Sequence, residues 1–167
     1  MKSVDIDLND SAYVRADRMR YEKNRLSSNL AILSIVLNGL FFISIYKSNA
    51  GTYYYNLLMG ASIVYNMLFM LVVFLVSEGS KSYHITYSYI AIAVGILQFA
   101  RIAVFPMRAH NAEVVVQDVS VKVMEDGQFF RVLVYLIGSG VCLLASAVIG
   151  IMRANTLSAH LRSLESR

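Results

Sequence analysis

Four stretches of this chain are apolar for long enough to cross a lipid bilayer. A helix rises about 1.5 Å per residue, so a hydrocarbon core about 30 Å thick needs about 20 consecutive apolar residues. Residues 27–46, 57–76, 83–105 and 129–152 each meet that length. None carries the polar stripe of a surface helix, so lipid or neighbouring spans must cover each of them all round. Composition agrees. Of the 167 residues 57% are hydrophobic and 16% charged, against roughly 45–50% and about 25% in soluble domains. An intrinsically disordered chain is excluded by that balance, and the single cysteine excludes an internal disulfide framework. β-rich runs such as 85–92 also occur in soluble sheets, but four long apolar segments in succession specify an all-α integral membrane protein with four transmembrane helices.

Basic residues orient the spans. Lys2, Arg15, Arg18, Arg20, Lys23, Arg25, Lys81, Arg153, Arg162 and Arg167 fall on one side. Lys47, Arg108, Lys122 and Arg131 fall on the other, with Arg101 inside the third span near that end. Both termini are therefore expected in the cytoplasm. Tryptophan is absent, so tyrosines form the interfacial belt, with Tyr46, Tyr53, Tyr54 and Tyr55 at the outer level and Tyr83, Tyr87 and Tyr89 at the inner one. Ser48 and Ala50 suit signal cleavage, yet residues 1–26 ahead of the first span are largely polar and that span is long enough to cross. A signal anchor fits better. The plasma membrane, as the inner membrane of a bacterium, is the expected location.

Outside the spans, residues 1–26 read as a basic, amphipathic cytoplasmic segment. Asp10 or Ser11 can cap a helix there, and no glycine or proline follows until Gly39, so one helix is expected to run into the first span. Arg15, Arg18 and Arg25 fall along one face of it with Glu22, a candidate contact for anionic lipid or an acidic partner. The tail 153–167 reads as a helical continuation of the fourth span, with Leu157, Leu161 and Leu164 able to pack on the Tyr13, Met19 and Tyr21 side of the amino-terminal helix or on a partner. The outer loop 106–128 contains Val119, Val121 and Val123 in alternation, a strand pattern. Asp126-Gly127 reads as the turn of a β-hairpin whose second arm begins at Gln128; a helix capped by Asn111 is the alternative.

The chemistry open to such a chain lies with polar groups at membrane depth, which are costly there and seek partners. Asn38, Asn66, Gln98 and Arg101 form the candidate intramembrane site, either a polar pocket in which Arg101 meets an anion or a set of hydrogen bonds holding the bundle. Ser34 and Ser62 add smaller polar groups. No aspartate or glutamate lies within a span, which disfavours a proton-coupled transporter. His84, His110 and His160 are scattered, so no metal or haem site is expected from them, and no cofactor. Gly138, Cys142, Ser146 and Gly150 recur every four residues on the fourth span, as Ala91 and Gly95 do on the third. Such small faces allow close helix approach, within the chain or to a neighbouring subunit.

The pattern favours a non-enzymatic membrane protein: an accessory or assembly subunit of a membrane complex, or a self-associating scaffold. Its expected partners are membrane lipids and other membrane subunits or copies of itself, and not nucleic acid. The alternative is a homo-oligomeric channel or a transporter of small solutes or anions with a path past Asn38, Asn66, Gln98 and Arg101.

Overall fold

The computed structural model describes residues 11–46, 56–116 and 119–165. Asp10, Lys2, Lys47, Ser48, Ala50, the tyrosines at 53–55 and Arg167 lie outside them, as does the side chain of Tyr46, so that part of the belt and of the charge count is not placed. Among these residues six helices and two strands follow in order. They are α1 (Ser11–Arg18), α2 (Arg25–Tyr46), α3 (Asn56–Lys81), α4 (Ile85–Val104), α5 (Pro106–His110), β1 (Glu113–Val116), β2 (Val119–Lys122) and α6 (Asp126–Glu165). Helices α2, α3, α4 and α6 are each long and apolar enough to cross a membrane. The chain is an all-α membrane protein in its architecture.

The four long helices run alternately up and down. At one end the Asn24 amide donates to the Lys81 carbonyl at 3.2 Å and Arg153 Nη1 donates to Asn24 Oδ1 at 2.9 Å. At the other, Gln128 Nε2 donates to the Ser44 carbonyl at 2.7 Å. In cross-section the order is α2, α3, α4, α6, with α6 packed closely on α2 and α4 and the α3–α4 side the loosest.

Helix α2 packs against both α3 and α6, and its sequence explains why. Its buried positions Ser27, Ser28, Ala31, Ser34, Asn38, Phe41 and Ile45 recur every three or four residues, and the first five are small or polar. In lipid, apolar helix faces gain little by meeting each other, so close approach and side-chain hydrogen bonds must hold them. Ser27 Oγ lies 3.0 Å from Ser146 Oγ, Ser28 Oγ 2.7 Å from Ser77 Oγ, and Ser34 Oγ 2.7 Å from Ser139 Oγ. Gly150 lies so near Ser88 and Gly79 so near the Tyr87 ring that a β-carbon on either glycine would overlap its neighbour. Two apolar clusters lie along this seam. One gathers Ala31, Phe69, Val73, Val76, Ala91, Leu143 and Ala147. The other gathers Phe41, Ile45, Ala109, Val123, Met124, Val132 and Leu136 at the strand end.

Three local expectations are corrected. The amino-terminal helix does not run into the first span: α1 stops at Arg18, and Asn24 starts α2 afresh by accepting from the Ser27 amide at 3.4 Å. Residues Asp126 and Gly127 form the first turn of α6 and not a hairpin turn. The strand pairing runs the other way, with β1 antiparallel to β2 in the register Glu113 to Lys122 and Val116 to Val119. Asn111 caps the end of α5 and not the start of a helix, because Pro106, with no amide to satisfy, begins a new helix one residue after Phe105.

Candidate functional site

Asn38 on α2, Asn66 on α3, and Gln98 and Arg101 on α4 converge on one point, beside the Phe41 cluster. Gln98 and Arg101 are three apart, so one face of α4 carries both inward. Arg101 Nη1 donates to Asn38 Oδ1 at 3.1 Å and to Asn66 Oδ1 at 3.0 Å. Asn38 Nδ2 donates to Asn66 Oδ1 at 3.1 Å, and Asn66 Nδ2 to the Ser62 carbonyl at 2.9 Å. Gln98 Nε2 donates to Asn38 Oδ1 and to Ser139 Oγ, both at 3.1 Å. Ser139 in turn donates to the Ser34 carbonyl at 3.1 Å. The network thus joins all four long helices.

Arg101 is 5% exposed and, among the described residues, meets no carboxylate. A cation at membrane depth is costly, by about 2.5–3.5 kcal/mol even on insertion scales. Three features offset that cost. The two asparagine oxygens accept from it. Its Cζ stands 4.3 Å from the Phe41 ring centre, 4.8 Å from that of Tyr65 and 5.8 Å from that of Phe105, and such contacts reach about 2 kcal/mol when desolvated. Its place in the last turn of α4 is also where the helix dipole favours a cation.

The compensation is incomplete. Among the described residues Arg101 Nε and Nη2 have no hydrogen-bond partner, nor do the Tyr65 hydroxyl and Gln98 Oε1, although all are buried. Buried polar atoms without partners are uncommon, because each forfeits about 1–3 kcal/mol of lost hydration. Arg101 and Tyr65 also line a cavity of about 380 Å³ between α3 and α4, with Ala61, Ser62, Leu97, Ala100, Val104 and Phe105.

The remaining candidates are placed as follows. Of the small-residue stripe on α6, Ser146 and Gly150 are buried against Ser27 and Ser88, and Gly138 faces Leu37. Those positions close the bundle from within, while Cys142 is half-buried and free. Gly140, outside the stripe, takes the Phe99 ring, and Gly95 takes Leu144. Arg15, Arg18 and Arg25 do not share a helix. Arg18 lies 4.0 Å from Glu22, and Arg25 joins Lys23 and Arg153 around a groove of about 630 Å³.

The tail packs on α1 through His160, whose ring meets Tyr13 at 5.0 Å and Asp17 Oδ1 at 3.4 Å, while Tyr21 is exposed. That histidine and Arg20 hold the Asp17 carboxyl below its ordinary 3.8. His110 stacks on Phe129 and His84 meets Tyr87, so the three histidines stand apart. Among the described residues no three metal-ligating side chains gather.

The sequence reading found the four polar residues and missed the aromatic box and the cleft. Helical spacing carried a signal for the box: Phe41 follows Asn38 by three, Phe105 follows Arg101 by four, and Tyr65 precedes Asn66. Nothing local marked the cleft, which lies between α3 and α4 with the small residues Ala61 and Ala100 in its lining. The chain matches no protein-family model, no curated protein and no solved structure.

Proposed function

We propose that this chain is a non-enzymatic membrane protein that works by binding, with Arg101 as the cationic centre for an anion. One observation carries the reading: the four intramembrane polar residues meet at one place. A conducting path needs polar groups spread along the membrane normal, whereas here Asn38, Asn66, Gln98 and Arg101 lie within hydrogen-bond reach of one another. Below them Phe69, Val73, Val76 and Leu143 fill the bundle. The arrangement supports a site better than a channel.

The test is thermal unfolding of the purified chain in an uncharged detergent with and without acetate. Stabilisation of the wild type that Arg101→Gln abolishes is the expected result. Equal behaviour of the two proteins in every salt would overturn the reading. Flux through liposomes that depends on Arg101 would restore the channel or transporter in its place.

A second reading concerns the setting in which the binding occurs. An accessory or assembly subunit, or a self-associating scaffold, is favoured by the β1–β2 ribbon. Among the described residues both outer edges of this two-stranded sheet lack a neighbouring strand, and Val115 is 70% exposed, features that invite pairing with another chain. With both termini in the cytoplasm of a bacterial inner membrane, as the basic residues suggest, the ribbon would face outward. Deleting residues 113–122 should then abolish assembly while leaving membrane insertion intact. Assembly that survives the deletion would contradict this role.

A further inference from the structure

We infer that the anion at Arg101 is the head of a single-chain amphiphile of the fatty-acid class, admitted sideways from the bilayer between α3 and α4. This rests on the binding function proposed above and names its ligand. A guanidinium offers two forked edges. In Arg101 the Nη1 corner is held by Asn38 and Asn66, and the Nε–Nη2 edge has no partner. That free edge is the one that grips a carboxylate with two parallel hydrogen bonds. Tyr65, whose buried hydroxyl is also unpartnered among the described residues, lines the same cavity, and that hydroxyl can donate a third.

The rest of the cavity selects for a tail. Apart from Arg101, Tyr65 and Ser62, its lining among the described residues is Ala61, Leu97, Ala100, Val104 and Phe105. A small free oxyanion would leave that apolar wall uncovered. The volume of about 380 Å³ lies near the lower end of the roughly 300–1,000 Å³ of small-molecule sites, room for part of one acyl chain and not for a two-chain lipid. Access is lateral. Leu97 and Val104 are 53% and 45% exposed on the flank of α4, and α3 and α4 are the loosest neighbouring pair. The polar head thus ends at the buried cation while the tail leaves through the apolar cleft into lipid.

The experiment is calorimetric titration of the full chain in an uncharged detergent with palmitate, hexadecanol and acetate. Palmitate is expected to bind once per chain, and hexadecanol and acetate each roughly tenfold weaker or more, since a charge-assisted fork and a buried tail each contribute on that scale. Arg101→Lys, which keeps the charge and loses the fork, should weaken palmitate by about tenfold. Ala100→Phe, which fills the cleft without touching the polar network, should do the same. Acetate binding as tightly as palmitate, with Ala100→Phe without effect, would leave the anion centre standing and overturn the amphiphile. Hexadecanol binding as tightly as palmitate, or no binding of any probe, would overturn both.

Discussion

The two halves of the bundle use polar side chains in opposite ways. Toward the Asn24 end, serine meets serine, Ser27 with Ser146 and Ser28 with Ser77, and Ser34 meets Ser139 where this half joins the Gln98 network, each pair also bonding a helix carbonyl. Every one of those hydroxyls is satisfied. Toward the ribbon end the polar groups are larger, one is charged, and five buried atoms (Tyr65 Oη, Gln98 Oε1, Arg101 Nε and Nη2, and His110 Nδ1) are without partners among the described residues, against Asn24 Nδ2 and Ser80 Oγ at the other end. Small paired hydroxyls draw helices together and leave nothing over. An arginine among amides and rings holds an unused fork beside a cleft, which is a poor way to stabilise a bundle and a good way to hold a ligand.

That contrast is broken most decisively at Arg101. Arg101→Met keeps length and removes the charge, and the Asn38 and Asn66 oxygens retain their amide donors. Anion binding should vanish, while the thermal midpoint stays level or rises by the equivalent of up to about 2 kcal/mol, because replacing a buried charge by a packed apolar chain is commonly neutral or stabilising. A large loss of stability would mean that the arginine is structural. The paired half should respond with the opposite sign. Gly150→Val forces a branched side chain into Ser88 and should cost about 1–3 kcal/mol in the same unfolding measurement, whereas Gly39→Ala, with open space around its β-carbon, should be neutral or slightly stabilising.

Ser34→Ala should cost less, about 0.6–1.7 kcal/mol, the range for hydrogen bonds between membrane helices; anion binding should be unchanged, since Gln98 keeps its bond to Asn38. The smallest effect lies outside the membrane. Hydrogen bonds from His160 and Arg20 depress the Asp17 carboxyl, so the folded state binds its proton less readily than the unfolded one. The α1–α6 contact should hold above about pH 4 and loosen as pH falls through the depressed value. Hydrogen exchange of the α1 amides reads this out. Exchange that rises below pH 4 in the wild type and is already raised and flat with pH in Asp17→Asn is the expected pattern.

What the sequence made legible follows its periodicities. Four long apolar runs state four helices directly, because membrane thickness fixes their length. The three-and-four spacing of Ser34, Asn38 and Phe41 marks the inward face of α2, and the rarity of polar groups at depth singles out Asn38, Asn66, Gln98 and Arg101. Local competition was harder to read. Asn24 caps α2 by a side-chain bond that a run without glycine or proline conceals, and Pro106 opens α5 within what reads as loop. Asp126-Gly127 resembles a hairpin turn in composition, yet Asp126 sits in the first turn of α6, where an acidic residue is favoured. The cleft was not legible at all, since it depends on which helices become neighbours.

The most direct measurement is native mass spectrometry of the chain extracted from its own membranes in mild detergent, as the wild type and as Arg101→Met. If the buried fork is a ligand centre, the wild type carries one acidic single-chain amphiphile per protein chain and the variant carries none. Identical spectra for the two proteins would contradict the claim and leave Arg101 as a structural residue.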